Sequence, residues 1–201
     1  MHSDRIRLAS GASPTVVVCG IAGVGKSSLI SSALAQFPMA TSWRASEIIG
    51  VARGIEDPEM LRALPANEIL LNQELLVKGY RELRRTYPDV LVLLDAHSIV
   101  DSESGLIEIP SVVVGELGPV CIIHIYDNVD RILERRLADK GRTRPARSPE
   151  QLSEYQQRSI AACDRYSESL HVPVAHISSG DVEGFAKVIR ECVRKHMTNA
   201  P

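Results

Sequence analysis

With 201 residues, 44% of them hydrophobic and 24% charged, the chain is long enough to bury one core, with room beside it for a small lid or insert. Its formal net charge of -2 supplies no global attraction to nucleic acid or to an anionic membrane surface. The four cysteines, Cys19, Cys121, Cys163 and Cys192, lack C-x-x-C spacing and read as free thiols in a reducing compartment.

Met1 to Ser13 is short, polar and mixed in charge, and reads as a flexible N-terminal extension. It has no apolar h-region, and no run in the chain is long enough to span a bilayer, so the expectation is a cytoplasmic protein with no membrane partner.

Thr15-Val-Val-Val-Cys19 is an apolar run of strand type, and Gly20-Ile-Ala-Gly-Val-Gly-Lys-Ser27 after it matches G-x-x-x-x-G-K-[ST] at every fixed position. A strand feeding such a turn aims backbone N–H groups at one point, and the free donors and dipole of the following helix add to the pull on phosphate. Gly20, Gly23 and Gly25 let the chain approach an anion without a Cβ in the way. Lys26 can then reach β- and γ-phosphates, and the Ser27 hydroxyl can ligate Mg²⁺. The alternative is a chance glycine-rich turn before an ordinary helix.

Ser27 to Gln36 reads as a helix that Phe37-Pro38 ends, and Met39 to Trp43 as a short extended piece. Trp43 is either a core or edge-strand residue or, at a strand's carboxyl end, a flank for a bound base. Arg44 to Arg53 has a helical pattern stopped by Gly54, and Asp57-Pro58 starts a turn or short helix carrying Arg62. Ala66 to Arg85 is the longest helical pattern, with Ile69, Leu70, Leu75, Leu76 and Leu83 as an apolar stripe. Taken alone, Gln73 on that helix reads as part of a solvated face.

Asp89-Val-Leu-Val-Leu-Leu-Asp95 has the form of a buried parallel strand ending in an acid, which would sit beside the phosphate loop. Asp95 there can hold Mg²⁺ directly or through water, and the bland alternative is a cap or turn residue. His97 shares the same edge. Two further buried runs, Val120 to Tyr126 and Val172 to Ile177, carry His124 and His176 as satisfied core or edge residues. Strands alternating with helical patterns predict an α/β fold with a parallel sheet covered on both faces.

Between those runs lies a basic stretch containing Arg131, Arg135, Arg136, Lys140, Arg142, Arg144 and Arg147. It reads either as a solvated or nucleic-acid-binding patch or as a phosphate clamp. It crosses from a helix into a turn with Gly141 and Pro145 and interleaves no aromatics for base stacking, which favours the clamp and argues against a nucleic-acid partner. Phosphoryl transfer needs concentrated positive charge more than covalent help. An ionised phosphate acceptor needs no general base, and the sequence offers no obvious His-carboxylate dyad.

The order of Gly20 to Ser27, Glu59-Met-Leu-Arg-Ala-Leu64, Leu94-Asp-Ala-His-Ser98, Ile132-Leu-Glu-Arg-Arg136, Gly141-Arg-Thr-Arg144 and Ser179-Gly-Asp181 resembles archaeal-type adenylate kinases from about Thr15 to Lys195. The resemblance implies a P-loop NTPase fold: a five-stranded parallel sheet, helices on both faces and a small arginine-rich lid. It implies a single nucleotide kinase domain over 14–198, with acceptor-binding helices at about 44–86 and a lid at about 139–148. The implied reaction moves the γ-phosphoryl group of MgATP to AMP.

On that resemblance Lys26, Asp95, Arg135, Arg142 and Arg144 are the catalytic residues, and Ser27 and Asp95 face the metal. Gly20, Gly23, Val24, Gly25, Ser28 and Gly180 join Lys26 and Ser27 in binding ATP. Arg62, Gln73, His97 and Trp43 face the acceptor, Arg62 at its phosphate and Gln73 near its base. Family members often form trimers, which makes a homo-oligomer the expectation. The chain departs from the family where a Gly-Asp pair is replaced by Trp43-Arg-Ala-Ser46, and where Pro-Gly-Leu-Pro becomes Ile107-Glu-Ile-Pro110. Another nucleoside monophosphate, or a P-loop ATPase switch acting on a protein or RNA partner, are the alternatives.

Overall fold

The computed structural model describes residues 13–57, 60–61, 64–102, 105–139, 141 and 145–199. Five strands, β1 (Thr15–Cys19), β2 (Ala40–Arg44), β3 (Leu91–Asp95), β6 (Pro119–Tyr126) and β7 (Val174–Ser178), form a parallel sheet in the order β2-β3-β1-β6-β7. A separate antiparallel hairpin, β4 (Ile99–Ser102) and β5 (Gly105–Glu108), pairs Ile99 with Glu108 and Ser102 with Gly105. The helices are α1 (Lys26–Gln36), α2 (Ala45–Arg53), α3 (Ala66–Thr86), α4 (Ser111–Glu116), α5 (Val129–Ala138), α6 (Pro149–Leu170) and α7 (Val182–Asn199). The expected α/β fold with a five-stranded parallel sheet is therefore present.

The continuous apolar runs form the middle of the sheet because both of its faces are covered. Val16, Val18, Val92, Leu93, Leu94, Ile122, Ile123 and Ile125 are all fully buried. Successive side chains leave opposite faces. Cys121 accordingly meets Cys192 of α7, whereas Cys19 meets Cys163 of α6, and all four thiols are buried and free. The hydrogen bond with Cys163 and burial push the Cys19 thiol well up, so it stays protonated.

Three expectations change. The longest helix is α6, with 22 residues against 21 in α3, and a capping box of Ser148 and Gln151 with Pro149 in its first turn starts it. The hairpin is an additional element. Ser13, expected in the loose extension, is buried, and its carbonyl accepts a hydrogen bond from Arg84.

His124 is fully buried on β6, with Nε2 3.0 Å from the Ser159 hydroxyl and Nδ1 without a partner, so it is only half satisfied. His176 beside it faces Asp164 at 2.9 Å. Burial, with help from His176 and Lys26, lowers the His124 pKa to about 3. The unfolded imidazole binds a proton near pH 6.5, so acidification below that favours unfolding. The expected loss from this residue is about 2 kcal/mol between about pH 6.5 and 5, and His124→Gln should flatten that slope in urea titrations. Parallel slopes for the two proteins would contradict it.

Candidate active site

β1 is the strand at which the sheet's winding reverses, because β2 and β3 lie on one side of it and β6 and β7 on the other. Ligands of such sheets bind in the crevice outside the carboxyl ends at that point. The phosphate loop occupies this crevice. Gly20 has φ 147°, and a Cβ there would stand 2.7 Å from the Ile125 carbonyl oxygen, so the loop can leave the sheet only through glycine. Gly25, at φ 107°, precedes α1, which opens without a side-chain cap. The N-cap glycine itself thus supplies no side-chain acceptor to the first-turn amides of α1.

Around the loop lies a cleft of about 490 Å³ lined by Ile21 to Ser28, Arg44 to Glu47, Asp57, Asp95, His97, Arg135, Asp139 and Gly141. Lys26 is buried; its Nζ donates to the Gly20 carbonyl at 2.8 Å and lies 3.7 Å from Asp95 Oδ1. His97 Nδ1 is 2.9 Å from the same carbonyl, which can only accept, so the proton sits on Nδ1. Ser27 and Ser28 are exposed to the cleft. Ser27 and Asp95 offer only oxygen, the donor type that suits Mg²⁺, which takes one or two protein ligands beside phosphate oxygens.

Arg135 lies on the cleft wall and donates to the Val24 carbonyl at 2.9 Å and to Asp127 Oδ2 at 2.6 Å. Burial of Asp127 acts to raise its pKa, but hydrogen bonds from Ser179, Arg135 and the Asn128 amide outweigh it and hold the carboxyl below its ordinary value. Arg136 donates to the Ala22 carbonyl at 3.0 Å and to Asp101 Oδ2 at 3.2 Å, and Arg147 reaches Asp101 Oδ1 at 2.7 Å. Asp101, on the hairpin and buried, thus ties Arg136 of α5, just before the segment expected to form the lid, to Arg147 within that segment. The sequence pattern assigns no role to Asp101 or Asp127, places Ser179 only within a matching motif, and does not foretell the Arg136 link to the loop.

A second, mostly apolar cavity adjoins the cleft and shares Ala45, Ser46 and His97 with it. Asn72 and Gln73 supply polar groups to it among Val17, Ile49, Leu76 and Val114. Gln73 is buried, not part of a solvated face, and its Nε2 donates to the Ile69 carbonyl at 2.8 Å, which leaves Oε1 as the acceptor.

An AAA domain family model matches residues 19–153, which run from the end of β1 into the start of α6. The chain belongs to that AAA domain family. It is also similar to the adenylate kinase of Pyrococcus furiosus, at 26% identity over 185 residues covering 89% of this chain and 93% of the relative. The adenylate kinase of Thermococcus kodakarensis is 28% identical over 188 residues, with the same coverage. The expected resemblance to archaeal adenylate kinases is borne out. Among solved structures, a shikimate kinase from Acinetobacter baumannii in complex with shikimate matches at TM-score 0.58 and 16% identity, over 92% of this chain and 94% of its own. That likeness concerns the fold alone.

Within this AAA domain, Lys26, Ser27, Ser28, Asp95, His97 and Arg135 gather on one cleft, with Gly23, Val24 and Gly25 in its wall. Gly20, whose carbonyl anchors Lys26 and His97, enters it from β1. Two expected residues are brought to neither cavity. Trp43 alternates to the opposite face of β2 from Arg44 and packs edge-on against Tyr80, with ring centroids 5.8 Å apart. Gly180 lies in the turn after β7, its carbonyl accepting from the Val182 amide at 3.2 Å, and does not line the cleft. Arg62, Arg142 and Arg144 lie outside the described residues. No helix among the described residues is long and apolar enough to cross a membrane.

Proposed function

We propose that this protein is a nucleoside monophosphate kinase that transfers the γ-phosphoryl group of ATP to AMP, giving two ADP. The observation that carries this reading is the junction of two cavities. A polar cleft built on a phosphate loop opens at Ala45, Ser46 and His97 into an apolar slot with Asn72 and Gln73 inside it. An ATPase needs the first cavity only. A second phosphorylated substrate with a flat base needs both. The curated relatives named adenylate kinase support the same reading.

In this reading the loop amides and Lys26 hold the β- and γ-phosphates of ATP, and Arg135 sets a guanidinium beside the loop. Mg²⁺ bound with ATP supplies charge neutralisation across the phosphates. Ser27 and Asp95 would hold it. The acceptor phosphate attacks as an ionised oxygen, so no side chain has to remove a proton. His97, fixed by Gly20, borders both cavities and orients the two substrates against each other. A trimeric homo-oligomer and a cytoplasmic location belong to the same proposal.

The test is a coupled assay with MgATP and, in turn, AMP, CMP, GMP, UMP and the deoxynucleotides, against ATP alone. Turnover that depends on a monophosphate supports the kinase, and AMP is expected to be the best acceptor. Equal ATP consumption without any acceptor contradicts it. Asp95→Asn is expected to move the Mg²⁺ titration of that activity to higher concentration by about tenfold, since a neutral amide is a poorer ligand for a hard cation. An unchanged titration would return Asp95 to a structural role.

A further inference from the structure

Arg44 stands opposite Asp95 in the β2–β3 register, so both side chains leave the carboxyl edge of the sheet on the same face. Both line the cleft. Because β3 lies between β2 and β1, Arg44 is two strand spacings, about 10 Å, from the strand that feeds the phosphate loop. That places a guanidinium on the acceptor's side of the cleft. Its partner is Glu47, one turn along α2 and 2.8 Å away, and both side chains are about half exposed. A solvent-exposed pair of this kind gives way readily to a better anion.

The apolar slot meets the cleft at Ala45 and Ser46, the two residues that follow Arg44. A nucleoside monophosphate with its base in the slot has its phosphate at this junction. We propose that Arg44 binds the acceptor's phosphate, exchanging its hydrogen bond with Glu47 for the incoming anion. The planar fork of the guanidinium can grip two phosphate oxygens at once and aim the third at the loop. This inference rests on the kinase reading.

The test uses the monophosphate with the highest turnover in the acceptor panel, together with its unphosphorylated nucleoside. Steady-state kinetics and calorimetric binding are measured for the wild type, Arg44→Gln, Arg44→Lys and Glu47→Gln. Arg44 is exposed, so folding tolerates these changes. Arg44→Gln is expected to raise the acceptor KM and Kd by about tenfold or more and to leave the ATP KM and nucleoside binding unchanged. Arg44→Lys should recover part of the loss, and Glu47→Gln should tighten acceptor binding. Wild-type acceptor affinity in Arg44→Gln, or an equal loss of nucleoside binding, overturns the inference alone. A wild type that neither uses nor binds any monophosphate overturns the kinase reading, and this inference with it.

Discussion

Lys26→Ala is expected to lower kcat for phosphoryl transfer by at least about a hundredfold, or about 2.7 kcal/mol of barrier. The ammonium sits buried on the loop, held by the Gly20 carbonyl at 2.8 Å and by Asp95 at 3.7 Å. A positive charge fixed in a water-excluded position costs no reorganisation when negative charge spreads over the phosphate oxygens. Lys26 is also pre-aimed, because its partners are backbone and strand end. Lys26→Arg should not restore activity, since the larger planar fork does not fit a site shaped for a compact ammonium. The measurement is steady-state kinetics at saturating MgATP and acceptor. A kcat within tenfold of wild type would contradict the role given to Lys26.

Arg135→Ala carries the second large effect, a loss in kcat on the order of a hundredfold with a smaller change in the KM for ATP. Its guanidinium holds the Val24 carbonyl and Asp127 together, so the loop and the start of α5 are tied through one side chain. Removing it leaves the buried Asp127 with Ser179, the Asn128 amide and the more distant Arg131 guanidinium at 3.8 Å as its partners. A stability loss of about 1–2 kcal/mol should therefore accompany the kinetic one, the side chain being partly exposed. Arg135→Lys is expected to keep most of the stability and only part of the rate, because a single ammonium cannot bridge both partners. Equal recovery of both would make Arg135 a purely structural strut.

What was legible in the sequence was local. The phosphate loop is a contiguous strand, turn and helix start, and its Lys26 and Ser27 emerge where the motif puts them. Asp95 was legible because a parallel strand's last residue points toward the same crevice as the loop of its neighbour. Of the two readings open for Trp43, the core one holds: period-two alternation gives the cleft to Arg44 and turns the indole onto Tyr80. No local pattern marks the hairpin of β4 and β5, because its strands are four residues each and carry Asp101 and Ser102 in place of an apolar alternation. Asp101 is tolerable in the core only because Arg136 and Arg147, 35 and 46 positions away, converge on it. That pairing is a product of the tertiary fold, and no local pattern announces it.

Transfer to AMP is followed directly through the fate of the γ-phosphoryl group, by phosphorus NMR in a mixture of the protein, MgATP and AMP. Each ATP and AMP consumed are expected to give two ADP, with no inorganic phosphate formed at a comparable rate. ADP and inorganic phosphate appearing in equal amounts while AMP stays constant would contradict it.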